Sequence, residues 1–492
     1  MVVIESKDQL NCLTIEELRT IAWEQQKIIV ELRLVIQFLQ DELLKKDKEI
    51  ARLTQRVAEL ERSNQLNSTN SGKPPSSDGF KKEPRVQSLR KKSGKKVGGQ
   101  LGHTGYTLNQ VEKPDNIETL KVTSCLDCNL DLSKEPIYKI NKRQVFDIPK
   151  IEKPIVTEYH CEVKLCPGCN RTVENSNGLQ APVQYGSRII AATAYFHAYN
   201  LLPEERTVDV FSKLFGVNMS VGTIENLIRQ LEEKIKPSVE KIELYLKAAD
   251  VKGADESGIR VNGELQWTHV LSNDKASHYR LSDKRGDVPT EVQGTLVHDH
   301  FVSYEKRLPD ITHAFCNAHH LRELNAVHSV DKERWGRSMA RLLVLGNKKA
   351  EQNPTGIDSK WVVKYRALYD KIIEKGFAYH ATLKPLEKPS RGRIKRRPGH
   401  NLLLRLNSCA DGVLLFLDDP DVPFTNNCSE QSLRMIKVKQ KVSGCFRTVK
   451  GAQRFLIIKS YIDTAQKLCF DIFDALIQAI QHNPIHFDFD TT

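Results

Sequence analysis

Three carboxylates and two cysteine pairs are the side chains in this sequence whose settings could carry chemistry. Asp255 lies in VKGADESGIRV, a segment with strand-like alternation, and Asp299 closes GTLVHDHF, a second short apolar run. An aspartate at the carboxyl end of a strand sits at the rim where open α/β sheets place ligands. For a single aspartate a turn or a solvated edge is the commoner setting; the joint placement of these two is what singles them out. Glu256, beside Asp255, should point to the opposite face because side chains alternate along a strand. The third acid is Glu430, in VPFTNNCSEQSLRMIKVKQKVSG, 131 residues beyond Asp299. Its segment has two readings. Asn427 can cap a helix whose third residue is Glu430, which would make the glutamate half of a capping box. Alternatively, Arg434, Lys437 and Lys441 follow on the same helix face, a stripe suited to phosphate, with the glutamate at its head.

The cysteines are Cys125-x2-Cys128 and, after 37 residues, Cys166-x2-Cys169. Each pair presents two thiolates from one tight turn, and four sulfurs around one ion satisfy the tetrahedral preference of structural zinc. His160 and Cys161 are close enough in sequence to be alternative ligands. The chain has 11 cysteines, an odd number, and its first residues, MVVIESKDQLN, lack the basic and apolar segments of an export signal. Reduced thiols in the cytoplasm are therefore expected, and no membrane span or membrane partner.

The elements that would position these groups can be read from periodicity. From residue 250 the pattern turns strand-like, with a hairpin marker at Asn262-Gly263 and a second turn near Asp274. Three antiparallel strands are followed by GTLVHDHF, a helical FVSYEKRL and ITHAFC, which read as a crossover into parallel strands. That is the ribonuclease-H-like order. Upstream, residues 185–235 read as helical, and VDVFSKLFGVNMSVGTIENLIRQL resembles a helix-turn-helix with Gly216 at the turn and Ser220 capping the second helix. Helical hairpins that never touch DNA share this pattern.

Residues 29–60 carry five heptads, with Ile29, Ile36, Leu43, Ile50 and Val57 at one core position and Leu32, Leu39, Lys46, Leu53 and Leu60 at the other. This pattern favours a parallel two-stranded coiled coil, and hence homodimerisation through residues 29–60, the alternative being a long helix packed on its own protein. The chain carries a net charge of +12, and its Lys and Arg are concentrated in residues 73–96, 388–398 and 434–454. Localised positive charge of this kind suits a nucleic-acid backbone, and Lys91, Lys92, Lys95 and Lys96 of the Ser-, Gly- and Pro-rich linker are candidate DNA contacts. At 492 residues several domains are expected.

Taken together, NSTNSGKPPSSD, KKSGKKVGGQLGHTG, the paired CxxC knuckles, ADESGIRV, CNAHHLRE and FTNNCSEQSLRMIKVKQKVSGCFRT followed by GAQRF resemble the insertion-sequence sixty-six family of bacterial transposases. The resemblance implies a DDE nuclease and strand transferase acting on double-stranded DNA, at transposon ends and target. Its acids map to Asp255, Asp299 and Glu430, with Mg2+ or Mn2+ held between them. Cys316, His319 and Arg322 match the family's CxAHxxR segment, and His319 and Arg322 are expected near the site. Where the family usually shows Glu-Arg, this chain has Glu430-Gln431, a departure at one DNA contact. Accessory proteins of the same element are further candidate partners, and a nucleoid-associated location follows. Two other classes fit part of the pattern: a dimeric zinc-containing DNA-binding regulator, and a ribonuclease-H-like nuclease without strand transfer.

The expected architecture is multidomain, mixing α+β and α/β. Residues 1–63 form a coiled-coil helix, 64–110 a basic linker, 111–178 a zinc-ribbon-like module and 179–247 a helical DNA-binding region. Residues 248–329 and 411–465 form the catalytic core, 330–410 a helical insertion, and 466–492 a C-terminal helix and tail.

Overall fold

The computed structural model describes residues 14–71, 108–148, 154–175, 179, 181–386 and 394–489. Lys91, Lys92, Lys95 and Lys96 lie outside the described residues, as do residues 387–393 of the basic loop. Contacts divide the chain into one unit of Met1–Pro84, Tyr185–Leu202 and Leu227–Thr492, and a second of Arg85–Gln184 and Pro203–Asn226. The division falls inside the region 179–247, which the sequence reads as one helical stretch.

In the first unit, helix α1 (Ile15–Gln65) is 51 residues long, about 75 Å at 1.5 Å per residue. It opens with a capping box in which Glu17 N donates to Thr14 Oγ1 at 3.3 Å and Thr14 N to Glu17 Oε2 at 2.8 Å. None of its residues is buried, and the apolar heptad positions from Ile29 to Leu60 are exposed. The described chain therefore does not cover this face itself. Among the described residues, its last turns are tied down by Arg62 on Asp331 at 2.7 Å and Glu59 on Lys395 at 3.3 Å.

The second unit holds the cysteine hairpins and a helical hairpin. Strands β1 (Val163–Leu165) and β2 (Thr172–Glu174) pair antiparallel and are closed by the Cys166–Cys169 turn. Helix α3 (Glu204–Phe215) follows, after α2 (Ser187–Ala194) and a π turn (Tyr195–Tyr199) of the first unit. Gly216 ends α3 with φ 63°, and Ser220 Oγ accepts Thr223 N at 3.1 Å at the start of α4 (Val221–Ala248), as the sequence predicts for both residues.

The sheet belongs to the first unit. Its strands are β3 (Val251–Val261), β4 (Glu264–Ser272), β5 (Ser277–Ser282), β6 (Thr295–His298) and β7 (Thr312–Phe315), in the order β5-β4-β3-β6-β7. The first three are antiparallel, while β6 runs parallel to both β3 and β7, the directions expected from periodicity. Asn262 and Gly263 both take positive φ, 50° and 81°, as a tight hairpin turn demands. Gly294 lets β6 dock beside β3, because a Cβ there would meet Asp250 O at 2.4 Å. Helix α5 (Val302–Arg307) makes the crossover from β6 to β7.

The remaining helices are α6 (Asn317–Ser329), α7 (Arg334–Gln352), α8 (Ser359–Ala381), α9 (Pro398–Ser408), α10 (Ala410–Asp418), α11 (Asn427–Ser443), α12 (Val449–Lys467) and α13 (Ile472–Gln481). Residues 330–410 are helical, as expected of an insertion, but they share a core with the sheet. One cluster runs from Val297 and Phe315 through Leu324, Met339, Leu343, Tyr369 and Leu403 to Phe416 and Phe424. Leu343, Leu403 and Leu406 are fully buried, each worth roughly 1.5–3 kcal/mol of transfer free energy. Helix α11 crosses β3 and β4, α10 lies on β7 and α12 on β5. No described helix is long and apolar enough to cross a membrane.

Candidate active site

Each acid arrives on a different element. Asp255 lies in β3, its Oδ1 accepting Glu256 N at 2.8 Å. Asp299 follows the last residue of β6, and its Oδ1 accepts Phe301 N at 3.1 Å, which turns the chain into α5. Glu430 lies in the first turn of α11.

The capping-box reading of Glu430 is not what the chain does. The helix is capped at Asn426 rather than Asn427, and no side chain caps it. The Asn426 amide instead donates to Ala254 O of β3 at 2.7 Å, and Asn426 N donates to Cys316 Sγ at 3.2 Å. Asn426 thus pins the start of α11 to the strand that carries Asp255. Gly253 makes room for this approach, since a Cβ would meet Asn426 Oδ1 at 2.2 Å and Ser429 Oγ at 2.5 Å. Because Gly253 and Asp255 are two residues apart, Asp255 presents to the same face as α11.

Freed from a cap, the Glu430 carboxylate faces α6. Its Oε1 lies 3.7 Å from His319 Nδ1, 3.8 Å from Arg322 Nη2 and 3.8 Å from Cys316 Sγ. His319 and Arg322 are thus brought beside the third acid. Burial, then the Glu430 charge, pushes the Cys316 thiol up to about 12, so it stays protonated. Burial and Arg322 hold the His319 imidazole below its ordinary range.

The acids sense one another. Burial, then the charges of Asp299, Glu256 and Glu430, raises the Asp255 carboxyl well above the usual carboxylate range. Glu256 is raised by burial and by Asp299, against the pull of two partners. Arg285 donates to Glu256 Oε1 from Nη2 at 2.8 Å and from Nε at 2.9 Å, and Tyr304 OH donates to Oε2 at 2.9 Å. The Arg285 guanidinium is itself sandwiched over Phe301, at 4.3 Å, and Trp267, at 5.3 Å. Alternation therefore sends Glu256 to the other face, toward α5, while leaving it within reach of the same field. Asn426, Arg285 and Tyr304 were not singled out by sequence; Gly253 and the Asn426-Asn427 pair at the start of α11 were the available signals.

Of the basic residues on α11, Arg434, Lys437 and Lys441 are all exposed, and Lys437 Nζ donates to Gly258 O of β3. Lys439, on another face, is buried, donating to Leu202 O at 3.3 Å.

The cysteine pairs form two hairpin tips of the same design. Cys125 N donates to Leu130 O and Cys166 N to Arg171 O, each at 2.9 Å. Asn129 and Asn170, each following a second cysteine, both take positive φ, 59° and 50°. In each tip the backbone N–H groups two and three residues on, Asp127 and Cys128 for Cys125 and Gly168 and Cys169 for Cys166, point at the first sulfur and lower its thiol pKa, as does the paired thiol. That arrangement favours thiolate and suits a metal ligand. No three of the four sulfurs lie within 4.8 Å of one another among the described residues.

A sequence profile of a family of unknown function (DUF6444) matches residues 18–109, which take in most of α1 and the basic linker. The uncharacterized protein y4hP of Sinorhizobium fredii (strain NBRC 101917 / NGR234) is 23% identical over 401 residues, covering 72% of this chain and 70% of that protein. The profile of the Transposase IS66 family matches residues 182–454, more than half of the chain. That span runs from ahead of α2 into α12 and includes the whole sheet with Asp255, Asp299 and Glu430, so this chain belongs to the IS66 family of transposases.

Proposed function

We propose that the protein is a DDE transposase with a ribonuclease-H-like core, in which Asp255, Asp299 and Glu430 are the catalytic carboxylates. The observation that supports this best is the field at Asp255. Acids from β3, from the end of β6 and from α11 act on one buried carboxyl, a charge arrangement that is unfavourable without a counter-cation. Carboxylate oxygens are the donors that hard divalent ions take, so this set fits Mg2+ or Mn2+. When bound, such ions supply Lewis acidity at the scissile phosphate.

The chain's own residues do the rest. Asp255, Asp299 and Glu430 present oxygens at the sheet rim; Arg322 and His319 flank Glu430; Asn426 fixes the helix that delivers it. Arg434 and Lys441, with Lys437 once released from Gly258, contact DNA phosphates. In the reaction, water adds to phosphorus at the transposon end and the 3′ oxygen leaves with a proton. The freed 3′ hydroxyl then gives up its proton and attacks a target phosphorus in the same site, and the target's own 3′ oxygen leaves and takes up a proton, so one phosphodiester replaces another. The linker lysines, the helical hairpin and the cysteine tips, gathered on zinc, would grip the ends, and α1 would pair two copies.

The test is magnesium-dependent nicking of a plasmid carrying the DNA that flanks this gene. Wild type should nick at the element boundary, and Glu430→Gln should fall to background. Tyr304→Phe, which removes a hydrogen bond from Glu256 and no proposed ligand, should lower nicking less than Glu430→Gln does. Equal nicking by Glu430→Gln would reject the assignment of the third acid. Nicking without joining to a target would leave a nuclease rather than a transposase.

A further inference from the structure

A second cluster of donors lies in the first unit, beside the rim. His300 follows β6, Glu305 is on α5, and Cys409 joins α9 to α10; one donor atom from each lies within 4.8 Å of the others. His300 Nδ1 is 3.9 Å from Glu305 Oε1. Tetrahedral zinc, with bonds of about 2.0–2.3 Å, sets donor separations of roughly 3.3–3.8 Å, so small rotamer shifts would close this set around an ion. The His300 ring is already fixed, stacked on Phe315 with centroids 3.5 Å apart and planes 3° from parallel.

A second observation points the same way. His320 is 1% exposed, and its Nε2 is buried with no hydrogen-bond partner among the described residues. It lies outside the 4.8 Å set itself, with its ring centroid 4.9 Å from that of His300, so it would join the other three only with a movement of the ring or of the set toward it. Its other nitrogen, Nδ1, lies 3.0 Å from Asn317 Oδ1. A buried imidazole nitrogen without a partner is costly, and a ligating histidine characteristically has its other nitrogen held by a hydrogen bond. Arg405, whose charge acts on both rings, pairs with Glu323 through Nη2, while its Nε is buried without a hydrogen-bond partner among the described residues.

We propose that His300, Glu305, Cys409 and His320 form a structural zinc site. It would tie the crossover helix α5 and the α9–α10 junction to the strand end that carries Asp299. This inference does not depend on the acids being catalytic, nor on the cysteine hairpins binding metal.

The probes are Zn2+ and Co2+ on the full chain. Zinc content after dialysis should fall by one equivalent in Cys409→Ser relative to wild type. With Cys125, Cys128, Cys166 and Cys169 all replaced by Ser, the chain should still take up one Co2+, with a near-ultraviolet thiolate-to-cobalt band that Cys409→Ser abolishes. Glu305→Gln, which keeps the sulfur, should retain the band and weaken Co2+ affinity at least tenfold. Unchanged zinc content in Cys409→Ser, or no band in the four-serine chain, would overturn the proposal. Should the four-serine chain fail to fold, the zinc difference between wild type and Cys409→Ser decides alone.

Discussion

Burial and neighbouring carboxylates both push Asp255 toward its protonated form, and this has a sign that can be measured. The folded carboxyl holds its proton above the unfolded value of about 3.9, so folding binds protons and stability falls as pH rises from about 4 through the raised folded value. Asn at this position carries no such cost. Without added magnesium, Asp255→Asn should therefore raise the melting temperature, by about 2–4 °C for each kcal/mol recovered, and the gain should grow with pH. Added magnesium should stabilise wild type and not the variant. A lower melting temperature for Asp255→Asn at pH 8 would mean that no repulsion is stored there. At this scale the aspartates were legible because strand ends and alternation are local. The environment of Glu430 was not: Asn426 and Asn427 are both good caps, and only the long-range bond to Ala254 O settles which one starts the helix and leaves its side chain uncommitted to it.

Helix α11 is held against β3 by side-chain contacts that leave no room for a methyl group at Gly253. Gly253→Ala should push the start of α11 off the strand, at a cost of about 1–3 kcal/mol for an overpacked contact. The acids lie apart from the added methyl, so the larger loss should be in nicking, through a displaced Glu430. Chemical denaturation alongside the plasmid assay separates the two effects, and a variant with wild-type nicking would show that α11 tolerates the shift. The elements of the sheet were readable from turn chemistry, as at Asn262-Gly263. The helical stretch 330–410 was readable as helix but not as part of the sheet's own core. Its buried residues, such as Leu343 and Leu403, meet partners far away in sequence, and no window of residues contains that information.

Across the whole molecule, α1 exposes Ile36 at 53% and Leu39 at 58% along with the rest of its apolar stripe. Five heptads of that composition call for a second strand, and a second copy of this chain supplies an identical one. Ile36→Glu with Leu39→Glu should convert a dimer to a monomer by light scattering on a sizing column, with the far-ultraviolet spectrum of the sheet unit kept. A wild-type monomer at micromolar concentration would refute the pairing. The heptads were plain in the sequence because a helix repeats locally; the division of residues 179–247 between two units was not, because it follows from contacts rather than from composition.

The separation of Glu430 from the two aspartates also sets a clock. Asp299 leaves the ribosome 44 residues after Asp255, whereas Glu430 follows 131 residues after Asp299, roughly 7–25 s later at 5–20 residues per second. If these three acids are the catalytic set proposed above, a nascent chain carries only two of them, and is inert, until α11 is made and Asn426 has found Ala254 O. Where translation is coupled to transcription, the enzyme under this assignment cannot cut the gene being read until that reading is nearly finished.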